Sequence, residues 1–156
     1  MIDNIRAPQI TDINYLLDID LKCFDDPWDT EKWREIYSDA QYKKLVGTNC
    51  GNPVGFVVWC PHSDGIQIVR IAVKPLHRKQ GIGSQLLKAV RINALQQKYR
   101  KICMVVTESL CCPNQGDNIG HWLNNRGFFA NEICKDGSIY CGKVEDAFFF
   151  VLNLGS

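Results

Sequence analysis

The segment Ile71-Ala72-Val73-Lys74-Pro75-Leu76-His77-Arg78-Lys79-Gln80-Gly81-Ile82-Gly83-Ser84 holds the residues whose types and spacing could do chemistry. A β-branched strand runs into a polar loop with two glycines, and a helical pattern starts at once. The first backbone N–H groups of a helix have no intrahelical acceptor, and the macrodipole makes that end positive. Glycine removes the Cβ that would hold a phosphate away from those groups. Arg78 and Lys79 add positive charge beside the same spot. By physical criteria this is a pyrophosphate cradle. A Walker A loop, G-x-x-x-x-G-K-[ST], is absent, and Leu86 stands where the third glycine of a dinucleotide fingerprint would be. Both nucleotide readings fail.

The elements that must position this loop follow from periodicity and turn residues. Residues 4–7 read as extended and are closed by Pro8. Ile13, Leu16, Leu17, Leu21 and Phe24 recur at helical spacing, with Thr11 or Asp12 as N-cap. Asp29 or Thr30 opens a second helix carrying Trp33, Ile36 and Tyr37. Residues 45–49 and 54–60 form an antiparallel hairpin around Cys50-Gly51-Asn52-Pro53. Residues 66–73 are the strand before the cradle, and the helix after it places Leu86, Leu87, Val90 and Leu95 on one face. Residues 101–107 read as a strand buried on both sides. Asp117 or Asn118 caps a helix through Ile119, Trp122 and Leu123, which Gly127 stops from the C′ position. Strands at 128–134 and 147–154 are joined by a turn-rich stretch, 135–142. The order predicts an α+β or mixed αβ domain over residues 1–156.

Composition narrows the class. The 156 residues are 46% apolar and 22% charged, which excludes a disordered tail, a collagen-like fibre and a coiled coil. Eighteen basic residues face seventeen acidic ones, and Lys43-Lys44, His77-Arg78-Lys79 and the 98–101 stretch are separate patches. No nucleic-acid partner is expected. The eight cysteines contain no C-x-x-C pair, and Cys60, Cys103, Cys134 and Cys141 lie in or beside apolar runs. They read as reduced structural thiols, with no metal. Met1-Ile2-Asp3-Asn4 has neither a basic nor an apolar leader, and no apolar stretch reaches the ~20 residues that cross a bilayer. A cytoplasmic monomer or homodimer, with no membrane partner, is the expectation.

Arg78-Lys79-Gln80-Gly81-Ile82-Gly83, preceded by Ile71-Ala72-Val73-x-Pro75, resembles the R-x-x-G-x-G acetyl-coenzyme A motif of the GCN5-related N-acetyltransferase (GNAT) superfamily, and the likeness spans nearly the whole chain. It implies a GNAT-like fold: a central, mostly antiparallel sheet of six to seven strands flanked by about four helices. One parallel pair, 66–73 beside 101–107, would open to admit acetyl-CoA. The resemblance assigns the amides of Lys79, Gln80, Gly81, Ile82, Gly83 and Ser84 to the pyrophosphate. Ile71, Ala72 and Val73 would bond the pantetheine arm in sheet fashion, and Arg78 takes the family's Gln/Arg position. Phe24-x-x-Pro27-Trp28 and Val144-Glu145-Asp146-Ala147-Phe148 resemble the RimI-type branch, which acetylates protein N-terminal α-amines.

Transfer needs a neutral amine, a held oxyanion and a proton for the departing thiolate. An α-amine of pKa ~7.7–8.0 is roughly 10% neutral at pH 7, and a lysine at ~10.4 below about 0.1%, so a lysine acceptor demands the stronger base. The N–H of Val73 is the expected oxyanion donor. Glu108 matches the position of the branch's catalytic glutamate. Asn114, ahead of Asn118, matches an asparagine that touches pantetheine. The family's general acid is a tyrosine four residues before the glycine of a Gly-Phe pair; before Gly127-Phe128 that position is Leu123, a departure. Tyr140, in the loop between the last two strands, is the substitute acid, ahead of His121. Two alternatives stay open. One is a small-molecule amine acceptor such as an aminoglycoside or polyamine, favoured by Asp25, Asp26, Asp29 and Glu31; the other, motivated by Leu123, is a non-catalytic CoA-binding module.

Overall fold

A computed structural model of the chain describes residues 4–24, 26–107, 119–140 and 143–155. Seven strands, β1 (Asn4–Arg6), β2 (Lys43–Asn49), β3 (Asn52–His62), β4 (Gly65–Val73), β5 (Lys101–Thr107), β6 (Phe129–Tyr140) and β7 (Lys143–Asn153), form one sheet in the order β1-β2-β3-β4-β5-β7-β6. The pairs β1–β2, β2–β3, β5–β7 and β6–β7 are antiparallel. Among the described residues there are four α-helices: α1 (Ile13–Cys23), α2 (Thr30–Ser38), α3 (Ile82–Gln96) and α4 (Ile119–Asn124). None of them is long and apolar enough to cross a membrane. The expected mixed αβ class, with a mostly antiparallel sheet of this size, is what the chain adopts.

Two compact units divide the chain, the first comprising Met1–Pro61 and Ile68–Asn93. Its core joins Ile13, Leu16 and Ile19 of α1 to Trp33 and Ile36 of α2 and to Val46, Phe56, Val58 and Ala72 of the sheet. The inner face of α1 differs from the periodicity reading. Leu21 is 67% exposed, and Asp20 is fully buried in its stead. A buried carboxylate is tolerable only when paired and hydrogen-bonded. Arg70 (2.6 Å), the Trp28 N–H (2.8 Å) and the Trp33 indole N–H (3.2 Å) meet that condition.

Asp12, one of the two expected residues, is the N-cap of α1, but its side chain makes no cap hydrogen bond to that helix. A 3₁₀ turn, Ile10–Asp12, precedes α1, and the Asp12 carboxylate accepts from the Gln9 N–H (2.7 Å) and from Arg6 (2.6 Å). Asp29 does cap α2, accepting from the Lys32 N–H at 2.8 Å. The β2–β3 turn is tighter than expected. Cys50 (φ +53°) and Gly51 (φ +82°) alone make it, and two successive left-handed residues suit the twist of a two-residue hairpin.

The second unit comprises His62–Gln67 and Ala94–Ser156. The Arg100 N–H donates to the Asp64 carbonyl (3.1 Å), and the Cys103 thiol to the Ile66 carbonyl (3.4 Å). The start of β4 therefore runs beside the start of β5 in the same direction, the sense expected of that pair. β5 is less enclosed than its apolar run suggests, since Val105 is 38% exposed. Leu95 is 47% exposed, and Ala94, two turns on from Leu87 and one from Val90, is buried in the place expected for it. Gly127 (φ +92°) ends α4 as expected: the Phe128 N–H reaches the Leu123 carbonyl (3.1 Å) and the Gly127 N–H the Asn124 carbonyl (3.1 Å), a Schellman pair. β6 and β7 are longer than predicted. Residues 135–140 are strand, and a register shift between Cys134 and Ser138 absorbs their turn-prone residues, while 141 and 142 lie outside the described residues.

Candidate functional site

β4 ends where the Lys74 N–H donates to the Val54 carbonyl of β3 at 2.8 Å. Proline cannot continue the ladder, and Pro75 opens a single 3₁₀ turn, Pro75–His77, closed by His77 N–H to the Lys74 carbonyl (2.9 Å). The backbone then enters the left-handed region twice, at Lys79 (φ +63°) and Gly81 (φ +83°), before α3 begins at Ile82. Lys79 has a Cβ and is strained there, whereas Gly81 is not. Among the described residues nothing lies within 4 Å of where a Cβ on Gly81 would stand, so the mouth of the loop is open.

The Gln85 N–H is bonded to the Gly81 carbonyl at 3.0 Å, the first α-helical rung. The N–H groups of the turn before it lie at the positive end of a 15-residue helix. Ile82 (2% exposed), Leu86, Leu87 and Val90 bury one face of α3 and hold that end in place.

A residue that the sequence reading missed lies beneath. A Cβ on Gly55 of β3 would stand 3.0 Å from the Ala72 carbonyl oxygen, 3.3 Å from Val73 Cγ2 and 3.4 Å from Ile82 Cγ2. Gly55 therefore lets the end of β4 and the first residue of α3 settle closely on β3. The signal was available, because a glycine inside an apolar strand marks a close approach.

Arg78 and Lys79 part company. Lys79 is exposed. Half-buried Arg78 donates from Nε to the Val73 carbonyl (3.0 Å) and from Nη2 to Cys23 Sγ at the end of α1 (3.4 Å). The Cys23 thiol in turn donates to the same Val73 carbonyl (3.3 Å). Burial pushes the Cys23 thiol up, and the Arg78 guanidinium opposes that shift. A second tie between α1 and the loop is the Lys74–Asp18 ion pair at 3.3 Å. Ile71 and Ala72 are buried and Val73 is half-buried.

The remaining expected residues divide. Glu108 and Asn114 lie outside the described residues, as do Asn118, Asp25, Cys111 and Cys112. Tyr140 is not in a loop; it is the last residue of β6, in register with Lys143. Leu123, at the position where the resemblance calls for tyrosine, is fully buried. Of the carboxylates near the first two helices, Asp29 is committed to capping α2.

A strand, a loop passing through the left-handed region and a helix N-terminus thus follow one another over residues 65–96. Residues 40–130, more than half of the chain, match the family described as acetyltransferase (GNAT) domain. The chain belongs to the GNAT acetyltransferase family. A Bacillus subtilis (strain 168) protein, named as a candidate ribosomal protein bS18-alanine N-acetyltransferase, is 25% identical over 107 residues, 67% of this chain and 70% of that protein. The ribosomal-protein-S18-alanine N-acetyltransferase from Escherichia coli superposes with a TM-score of 0.80 at 19% identity, over 98% of this chain and 94% of its own. Arabidopsis thaliana NAA60 in complex with acetyl-CoA does so with a TM-score of 0.79 at 15% identity, over 96% and 97%. These superpositions place the seven-stranded sheet and its helices in the GNAT fold.

Proposed function

We propose that the chain works as a single acetyltransferase domain that moves an acetyl group from acetyl-CoA directly to a primary amine, with a protein N-terminal α-amine (or a lysine) as acceptor. The observation that carries this reading is the loop into α3: a left-handed Gly81 with open space around it at a helix N-terminus. The likeness to the Bacillus subtilis protein named as a candidate bS18-alanine N-acetyltransferase supports a protein N-terminus as acceptor. So does the chemistry, because an α-amine is partly neutral near pH 7 and a lysine is scarcely so. Free thiols at Cys23, Cys50, Cys60 and Cys103 agree with a cytoplasmic setting.

Acetyl-CoA, when bound, supplies an acetyl thioester. The chain's part is assigned as follows. Backbone N–H groups of Lys79, Gln80, Gly81, Ile82, Gly83 and Ser84 hold the pyrophosphate, while Ile71, Ala72 and Val73, with Asn114, hold the pantetheine arm. The Val73 N–H donates to the acetyl oxygen as charge develops there. Glu108 takes the proton from the amine as nitrogen bonds to the acetyl carbon. Tyr140 returns a proton to the sulfur as the carbon–sulfur bond breaks. A thiol pKa of ~8.5 makes that last step the least demanding.

Calorimetric titration with acetyl-CoA, CoA and ATP in parallel tests the loop. The expected outcome is micromolar binding of both CoA species with ATP silent, and no CoA binding overturns the assignment. A screen of peptides with a free α-amine, Nα-blocked lysine peptides, polyamines and aminoglycosides then tests the acceptor. Turnover confined to the small amines overturns the protein acceptor.

A further inference from the structure

We infer that Arg78 and Cys23 form a clasp on the Val73 carbonyl, so that Arg78 serves the proposed cradle as a positioning residue, by shape and not by its charge. The inference rests on the reading of the 79–84 loop as a pyrophosphate site.

The peptide between Val73 and Lys74 is tied on both sides. Its N–H goes to the Val54 carbonyl (2.8 Å), and its oxygen accepts both Arg78 Nε (3.0 Å) and the Cys23 thiol (3.3 Å). Arg78 Nη2 on Cys23 Sγ (3.4 Å) closes the triangle. These contacts span the last residue of β4, the end of α1 and the residue just before the left-handed turn at Lys79. A guanidinium presents several donors in a rigid fork, which a lysine cannot reproduce. Two of those donors are directed at Val73 and Cys23, at the strand end, while Lys79 is exposed on the loop. Burying part of a charged group costs stability unless it is hydrogen-bonded, so the clasp also holds Arg78 where it is. Positions 77–79 thus receive a fixed path into Gly81, and the N–H groups beyond it stay converged.

Three chains test this: wild type, Arg78→Lys and Arg78→Ala. Two readouts are taken. The first is the alkylation rate of Cys23, followed peptide by peptide by mass spectrometry without any CoA. The second is acetyl-CoA affinity across a salt series. Losing the guanidinium uncovers Cys23 but also removes a charge that favours its thiolate, so the rate is followed against pH and expressed per thiolate. On that scale the clasp predicts that Cys23 reacts about tenfold faster in Arg78→Ala, the equilibrium factor for one lost charge-assisted bond. It also predicts that both variants bind acetyl-CoA about tenfold more weakly, with the wild-type dependence on salt. An unchanged Cys23 rate per thiolate overturns the clasp. Full affinity in Arg78→Lys with a shallower salt dependence in Arg78→Ala overturns the positioning role and makes Arg78 a direct phosphate contact. If wild type binds no CoA species, the cradle reading fails and the positioning role with it, while the Cys23 rates still decide whether the clasp exists. Should Arg78→Ala fail to fold, Arg78→Lys carries both readouts.

Discussion

Arg70 donates to the fully buried Asp20 carboxylate at 2.6 Å, with its guanidinium 4.3 Å from the centre of the Phe24 ring and 4.4 Å from that of Trp28. The pair fastens the connection between α1 and α2 to β4, one residue before Ile71, and Arg70 also reaches the Asp26 carbonyl (3.2 Å). Burial pushes the Asp20 carboxyl up, while Arg70 and the Trp28 and Trp33 N–H groups pull it down. Arg70→Ala leaves an uncompensated buried charge and is expected to cost about 3–5 kcal/mol in urea unfolding at pH 7. Without Arg70 the carboxyl rises further and protonates on acidification, so the deficit shrinks at pH 5. A loss below about 1 kcal/mol at pH 7 would class the pair with exposed ones.

The Arg6–Asp12 pair has the opposite sign. The Arg6 hydrogen bonds hold the Asp12 carboxyl below its usual value, burial opposes, and the Gln9 N–H adds to the lowering. A carboxyl lowered in the folded state contributes stability above its unfolded pKa of ~3.9 and loses it as pH falls through the folded value. Asp12→Asn should therefore cost roughly 1 kcal/mol at pH 7, a figure discounted for the partial exposure of Arg6. The variant should converge on wild type as pH drops below about 4. A deficit that persists unchanged at pH 3 would assign it to the 3₁₀ turn and not to the charge.

How much of this was legible depends on sequence distance. The Asp29 cap, the Gly127 stop and the strand-loop-helix of residues 66–96 rest on neighbours within a few residues, and all three formed as read. The buried face of α1 misled because Asp20 draws its main partner from 50 residues away. Lys135-Asp136-Gly137 carries turn chemistry, but pairing with β7 on both sides of it imposes strand. The clasp between Cys23 and Arg78 joins positions 55 apart, and no local rule announces it. The assigned base is a matter of resemblance and the assigned acid a substitute where the resemblance fails at Leu123, because the types and spacing of Glu108 and Tyr140 contain no signal of their own.

Two glycines near the loop should fail differently. Gly81 has room but a left-handed backbone, so Gly81→Glu should cost stability only roughly 1–2 kcal/mol. The same change places bulk and negative charge in the proposed cradle and should weaken acetyl-CoA binding by about a hundredfold or more. Gly55 has no room. Gly55→Ala sets a Cβ against the Ala72 carbonyl and should cost about 1–3 kcal/mol, with a weaker effect on affinity through the displaced end of β4. Thermal unfolding and calorimetry on both variants separate the cases. Unchanged acetyl-CoA affinity in Gly81→Glu would sink the loop assignment.

The proposed proton path yields the last test. Leu123 is hydrocarbon buried in its unit, so the acid must come from elsewhere, and Tyr140 is the proposed donor. Thiolate is already a tolerable leaving group, so Tyr140→Phe should lower kcat by no more than about tenfold, most visibly at alkaline pH where rescue by solvent protons is weakest. Glu108→Gln should do more. Removing a general base should cost about a hundredfold in kcat/KM at pH 7, with acetyl-CoA affinity intact. Above pH 8 a growing fraction of an α-amine acceptor is neutral without help, and the Glu108→Gln deficit should narrow. A pH–rate profile of Glu108→Gln parallel to wild type from pH 6 to 9 would return the residue to an ordinary surface carboxylate. A steep loss in Tyr140→Phe at every pH would instead make proton return to sulfur the limiting step.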